Sequence, residues 1–478
     1  MRPLVAAVSA LALAGCTLEP HYVRPQPAIP ATWPTGAAYP PPAAEPALPS
    51  LSYREVFRDP QLQGLIDQAL ANNQDLRATL ANVEIARSEY RVQRAELLPH
   101  LNANFSAAET RTRSGGAAAL ADTERNYLAN VAVSNFEVDL FGRLRSLTHA
   151  AFDQYLSSAA GARAARLTLV GEVARAYFTL AADRSLLVVS ADTVASAGRT
   201  VALTQARLTG GVSARTDLSQ AQTLLDQARS DQQQRLTQVA QDRNALELLV
   251  GGPVPDAALP RGVEAVDGEV AVVPAGLDSR ILLRRPDVLE AELRLQAANA
   301  QIGAARAAFF PTINLTGLAG FASPALSALF DHGRFAWQGA GAASLPIFAG
   351  GANLANLALA KAQREQALAL YQSAIQSAFR DVADALARRG TMEAQLAAQN
   401  DLLAAAATSY NLQLARYREG IDPYLNVLDS QRTLYSARQT QASTRLARVQ
   451  NMIALYQAVG GDPLIDAMPV TPPKPARR

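Results

Sequence analysis

The spacing of apolar residues along this chain switches between two and seven. Leu101, Ala103, Phe105 and Ala107 alternate with Asn102, Asn104 and Ser106, the period of a strand with one apolar face. Tyr127, Ala129, Val131 and Val133 begin a second such run. Thr312, Asn314 and Thr316 alternate with Ile313, Leu315 and Gly317, and Phe335, Trp337, Gly339, Gly341, Ala343 and Leu345 share one face of a fourth. The pattern predicts two strand pairs, within 99–142 and 311–349. Strands of about ten residues, apolar outside and polar inside, build membrane β-barrels. Tyr127, Phe321, Phe335 and Trp337 supply interfacial aromatics.

After each strand pair the period becomes seven. Arg143 to Leu208 is a proline-free stretch of 66 residues, about 100 Å long if wholly helical. Ala160, Leu167, Ala174, Ala181, Val188 and Ala195 recur there at every seventh position, the stripe of helices packed side by side. Ile375, Phe379, Val382 and Leu386 form the comparable later stripe. Many seam residues are Ala, which lets helices approach closely, while Gly161, Gly171 and Gly198 weaken the first helix locally. Long helices are expected within 143–250 and 351–459, each interrupted by a tight turn.

The chain also repeats itself. Ala206-Arg207-Leu208-Thr209-Gly210-Gly211-Val212 matches Ala415-Arg416-Tyr417-Arg418-Glu419-Gly420-Ile421 at an offset of 209, as Gly251-Gly252 matches Gly460-Gly461. Upstream, Leu98-Pro99 pairs with Phe310-Pro311 and Asp75 with Asp287 at an offset of 212. Two structural repeats are predicted, 53–252 and 278–463, joined by a linker at 253–277 and followed by a tail at 464–478.

Composition removes several classes. Of the 44 basic residues only Lys361 and Lys474 are lysines, and all are dispersed among 42 acids, so no stripe exists to track nucleic acid. Four scattered His and one Cys offer neither a zinc site nor a disulfide framework. No unbroken apolar run reaches the roughly 18 residues of a membrane helix; the longest is Leu4 to Cys16. The sequence has no P-loop, GxSxG elbow or HExxH, so it points away from an enzyme, with no catalytic, cofactor-binding or metal residue assigned.

Arg2, the short apolar run and Leu13-Ala14-Gly15-Cys16 have the arrangement of a lipoprotein signal, with a signal peptide at 1–15. Cys16 is the predicted lipidation site, its covalent lipid the one non-protein group expected. Thr17 replaces the Asp that retains lipoproteins in the inner membrane, so the mature chain is expected at the outer membrane, facing the periplasm. Eleven of the 27 prolines lie in the first 50 residues, making 16–52 an extended tether.

Four strands cannot close a barrel. Open sheet edges do not occur in lipid, and bacterial barrels have at least eight strands, so several chains must share one. Three copies would give twelve strands and twelve long helices.

Arg284-Arg285-Pro286-Asp287-Val288 with the following LEAELRLQAANAQIGAARAAFFPTINLTG, Val133 to Arg143, and Ala415 to Gln439 closely resemble the outer-membrane factor family of efflux systems. The likeness runs from Tyr53 to Pro463 and is greatest to the lipoprotein branch serving resistance-nodulation-division pumps. It implies a mainly α, mixed α/β homotrimer: a 12-stranded outer-membrane β-barrel continuous with a 12-helix periplasmic α-barrel, with a mixed equatorial domain. The partners it implies are a periplasmic adaptor, an inner-membrane pump and outer-membrane lipid. Drugs and other small toxic compounds would be conducted passively.

The resemblance also assigns sites. Gly211, Val212, Ser213, Gly420, Ile421 and Asp422 become the adaptor-contact tips. Thr216, Asp217, Tyr417, Leu425, Asp429 and Arg432 become the periplasmic gate, with Tyr417 bonding Asp217 and Arg432 pairing with a nearby carboxylate. Leu425, Asp429 and Arg432 share one helix face, so symmetry would make Asp429 a ring of charge. Asp422 stands where some members carry a basic residue. Competing readings are a type I protein-secretion duct, a metal-efflux duct, for which no Met or His cluster speaks, and a lipoprotein coiled-coil adhesin or envelope spacer, which leaves the strands unexplained.

Overall fold

The computed structural model describes residues 17–27, 29–40, 52–112, 122–272 and 279–470. The signal segment with Cys16, part of the tether and the end of the tail lie outside the described residues. Helices α1 (Pro60–Asn72) and α2 (Gln74–Ala95) precede strands β1 (Leu101–Thr112) and β2 (Asp122–Val138). Helices α3 (Arg143–Thr209) and α4 (Arg215–Val250) follow. After short turns come α5 (Pro286–Ala307), β3 (Thr312–Ser323), β4 (Phe335–Ser344), α6 (Ala352–Arg418) and α7 (Tyr424–Val459). Each half thus runs through helices of 22, 67 and 36 residues in the same order, with a strand pair after the first.

The chain forms two compact units, each drawing on both halves. One comprises Met1–Gln26, Val83–Ser158 and Glu290–Tyr371; the other comprises Pro27–Asn82, Ala159–Leu289 and Gln372–Arg478.

The first unit holds one antiparallel sheet in the order β1-β2-β3-β4. Its register puts the alternating residues of all four strands on one apolar face. Leu101, Ala103, Phe105 and Ala107 stand opposite Val133, Val131, Ala129 and Tyr127. Those last three pair in turn with Ala319, Phe321 and Ser323, and Ala319 and Phe321 with Trp337 and Phe335. Asn104 and Asn130 join by a 3.2 Å side-chain hydrogen bond on the other face. At about 3.3 Å per residue, the apolar run Ile313 to Phe321 is about 26 Å long, close to the roughly 25 Å lipid-facing band of a barrel. Beyond Ala107 and Tyr127 the same face turns charged, with Glu109 and Arg125 paired at 3.5 Å.

A bulge keeps that face continuous. Val133 pairs with Gly317 and Phe136 with Leu315, so Ser134 and Asn135 together oppose Thr316. Odd-numbered β2 residues face the apolar side up to Val133, and even-numbered Phe136 and Val138 do so after it. Asn135 takes φ 57°, a conformation Asn tolerates, and its N–H donates to Thr316 Oγ1 at 3.3 Å.

Helix α3 is unbroken through Gly161, Gly171 and Gly198. It is long and apolar enough to cross a bilayer by length and composition, although charged residues such as Glu172, Arg175 and Asp183 break its apolar runs. At about 100 Å, however, it exceeds a hydrocarbon core of about 30 Å threefold. The predicted seven-residue stripe is buried from Ala160 to Ala181 and then leaves the interface, with Val188 58% exposed. The buried row continues through Ser190, Thr193, Ala197, Thr200 and Thr204. A straight helix drifts about 20° per heptad, so a fixed stripe cannot stay on the seam. The buried hydroxyls satisfy themselves: Thr193, Thr200 and Thr204 donate to the carbonyls four residues back.

The tether packs against the chain rather than standing off it. In the second unit Trp33 stacks on Phe379 with ring centres 5.0 Å apart, and Ser279 Oγ donates to the Pro30 carbonyl at 2.8 Å.

The bulge yields a paired prediction. Deleting Asn135 leaves every apolar residue of β2 on the apolar face, and the protein should still assemble into a heat-modifiable species on semi-native gels. Deleting Asn130 instead shifts one side of β2 to the wrong face, and assembly should fail. Equal behaviour of the two deletions would refute this account.

Candidate functional site at the paired helix turns

All six tip residues and all six gate residues fall in or beside two helix–turn–helix junctions of the second unit, α3–α4 and α6–α7. The two turns have the same backbone wiring. Gly211 N–H donates to Leu208 and Val212 N–H to Arg207, at 3.0 and 2.9 Å. Gly420 N–H donates to Tyr417 and Ile421 N–H to Arg416, again at 3.0 and 2.9 Å. This is the Schellman ending, and Gly211 and Gly420 occupy its left-handed position at φ 74° and 76°. The next residue in such a motif usually folds its apolar side chain onto the helix just ended. Here Val212 stays 65% and Ile421 61% exposed. Two apolar side chains are left on the turns' outer surface.

The carboxylates at the turns are occupied locally. Asp217 Oδ2 accepts from Ser213 Oγ at 2.9 Å and from the Ala214 N–H at 3.4 Å, closing the N-terminus of α4. Asp422 receives a two-pronged contact from Arg416, at 2.6 and 3.1 Å, which holds its carboxyl below the usual range.

Behind the turns lies a core of Ala197, Ala221, Leu224, Leu225, Tyr417, Tyr424, Val427 and Leu428. The Tyr417 and Tyr424 rings meet at 5.6 Å. Burial pushes the Tyr424 hydroxyl up to about 12, and that hydroxyl finds no hydrogen-bond partner among the described residues. Arg207, in the last turn of α3, crosses to the other hairpin. Its guanidinium lies 4.8 Å above the Tyr417 ring, and its Nη1 donates to the carbonyls of Tyr417 at 3.1 Å and Arg418 at 3.3 Å. A cation thus closes the carbonyl end of α6, where the helix dipole favours it.

This geometry corrects the expected pairing of Tyr417 with Asp217. The buried Tyr417 hydroxyl faces Thr204 Oγ1 at 3.4 Å, because Arg207 covers its ring and Asp217 is engaged on its own helix. Arg432 makes no ion pair or hydrogen bond among the described residues. Leu425, Asp429 and Arg432 are exposed together on one face of α7, opposite the buried Tyr424, Val427, Leu428 and Gln431. Thr216 is exposed as well. Sequence reasoning did not single out Arg207, Tyr424 or Thr204. The repeat alignment contained Arg207 and Arg416 at equivalent places, but nothing in the alignment distinguishes a residue that crosses between hairpins from one that stays on its own loop.

Comparison with known proteins agrees with this architecture. The family described as outer membrane efflux protein matches residues 65–252 and 277–461. The probable efflux pump outer membrane protein TtgC of Pseudomonas putida is 43% identical over 457 residues, covering 95% of this chain and 94% of the relative. A membrane protein of Pseudomonas aeruginosa superposes with a TM-score of 0.86 at 38% identity, covering 93% of this chain and all of that one. The open state of the MtrE outer membrane channel of Neisseria gonorrhoeae gives 0.84 at 35%, covering 94% and 98%. The mainly helical chain with its four-stranded antiparallel sheet therefore belongs to the outer membrane efflux protein family and is an outer-membrane efflux channel subunit.

Proposed function

We propose that this subunit works as a homotrimer, a passive exit duct for drugs and other small toxic compounds delivered by a periplasmic adaptor and an inner-membrane pump. The observation that carries the reading is the sheet. Its four strands present one continuous apolar face and end in two unpaired edges, β1 and β4. Three copies would close twelve strands into a lipid-facing barrel. The two halves are then structural repeats, each contributing a strand pair to the barrel and two long helices to a periplasmic α-barrel.

The turns are the periplasmic end of that duct. Val212 and Ile421, apolar and outward, are the contacts for the adaptor. Asp429 and Arg432 face the bore, where symmetry makes a charged collar, and Arg207 ties the two hairpins of each subunit together. Cys16 carries the lipid that anchors the mature chain to the outer membrane.

Purified protein in planar bilayers tests the duct directly. Wild type should be closed at rest, and Arg207→Ala should raise mean conductance about two-fold or more by freeing the turns. Asp429→Asn should weaken block by multivalent cations. A closed Arg207→Ala channel with full cation block in Asp429→Asn would place the gate elsewhere. Val212→Trp and Ile421→Trp should lower adaptor affinity about ten-fold, equivalent to about 1.4 kcal/mol, with melting unchanged; wild-type crosslinking yields would remove the tip assignment. Intact mass spectrometry should find acyl chains on the mature protein and none in Cys16→Ser.

A further inference from the structure

Glu292 is a buried carboxylate, 2% exposed, in the second turn of α5. An ionised side chain there needs charge and hydrogen-bond partners, because burial without them costs more than the fold can readily supply. Its partners come from the N-terminal strap. Arg24 Nε donates to Oε1 at 2.6 Å while its Nη2 donates to Oε2, and the Tyr22 hydroxyl donates to Oε1 at 3.3 Å. No other residue described hydrogen-bonds to this carboxylate. The surrounding burial, and next to it the Glu292 charge, push the Tyr22 hydroxyl and that of fully buried Tyr371 above the usual phenol range.

The same strap meets α5 at three more points. The Pro20 carbonyl accepts from Asn299 Nδ2 at 2.7 Å and the Leu18 carbonyl from Arg306 Nη1 at 3.1 Å. At Gly303 a Cβ would lie 2.8 Å from Glu19 Cα, so only glycine lets the strap this close. Glu19 itself reaches His149 of α3 at 3.0 Å. Residues 292, 299, 303 and 306 are spaced seven, four and three apart, one helical face. They meet Arg24, Pro20, Glu19 and Leu18 in reverse order. Six extended residues span about 20 Å and fourteen helical ones about 21 Å, so strap and helix match in length.

We infer that this face of α5 is a binding groove for an extended peptide, filled in this chain by Thr17–Arg24, with Glu292 the residue that makes its occupation compulsory. The groove reads a guanidinium at one end and backbone carbonyls at the other. It holds the first residues of the strap beside the helix end that leads, through Phe310, into β3. Docking thereby fixes the start of the mature chain relative to the sheet.

The test uses the full-length purified protein and two readouts: thermal melting, and the rate at which chymotrypsin removes the N-terminus after Tyr22. Arg24→Met should speed cleavage about ten-fold, since proteolysis follows the undocked population, and should lower the melting midpoint by leaving Glu292 buried without its cation. Glu292→Gln should also speed cleavage yet keep the wild-type midpoint. The double variant should melt like Glu292→Gln, rescuing Arg24→Met. Gly303→Ala should loosen the strap without touching the charge pair. The inference is overturned if Arg24→Met matches wild type in both readouts, if Glu292→Gln fails to rescue it, or if Gly303→Ala leaves cleavage slow.

Discussion

Unpaired backbone groups cannot be left in hydrocarbon, and that constraint organises this chain. A sheet of four strands satisfies its interior ladders and exposes the outer sides of β1 and β4. In water such edges could be solvated; in a membrane they need another strand. The apolar face makes membrane residence the favourable state, and the edges make a lone copy unfavourable there. Even the bulge at Ser134 and Asn135 serves this end, since it returns Phe136 and Val138 to the apolar face after an extra residue has reversed the alternation.

The helices solve a different problem. Helices of 67 residues cannot be specified by a rigid heptad alone, because the stripe rotates off the seam. Along α3 the interface passes from Ala160, Leu167, Ala174 and Ala181 to Ser190, Thr193, Thr200 and Thr204. These small side chains are tolerated because each hydroxyl donates to a carbonyl of its own helix and demands nothing of its neighbour. Close packing is obtained with little apolar volume, which is why the seam was only partly visible as a hydrophobic pattern.

What could be read from sequence follows the same division. Strand alternation was legible because one face is apolar throughout, and the turns because Gly211 and Gly420 recur at a fixed offset with their flanking residues. The four-strand count by itself exposes the edge problem. The Tyr417 pairing was not legible. It depends on Arg207 reaching across from another helix, and on Asp217 being drawn to its own N-terminus, and neither is encoded in spacing. The docking of the strap was not legible for a related reason: prolines argue against a regular element, but their carbonyls remain good acceptors, and Asn299 and Ser279 use them.

The two turns show how one repeated motif is put to two uses. Arg207 and Arg416 occupy equivalent positions, yet Arg207 closes the carbonyl end of the neighbouring hairpin while Arg416 holds Asp422 on its own loop. Of the three aspartates assigned to the turns, Asp217 is engaged by Ser213 and Asp422 by Arg416. Asp429 remains outward on α7 with Arg432 one turn further on. In a single chain these two are a solvated pair of little energetic consequence. In the proposed ring of copies, like charges would come close enough across a narrow bore to matter. In the proposed trimer the chemistry of the turns, like the closure of the sheet, would therefore be acquired by assembly rather than held by a single copy.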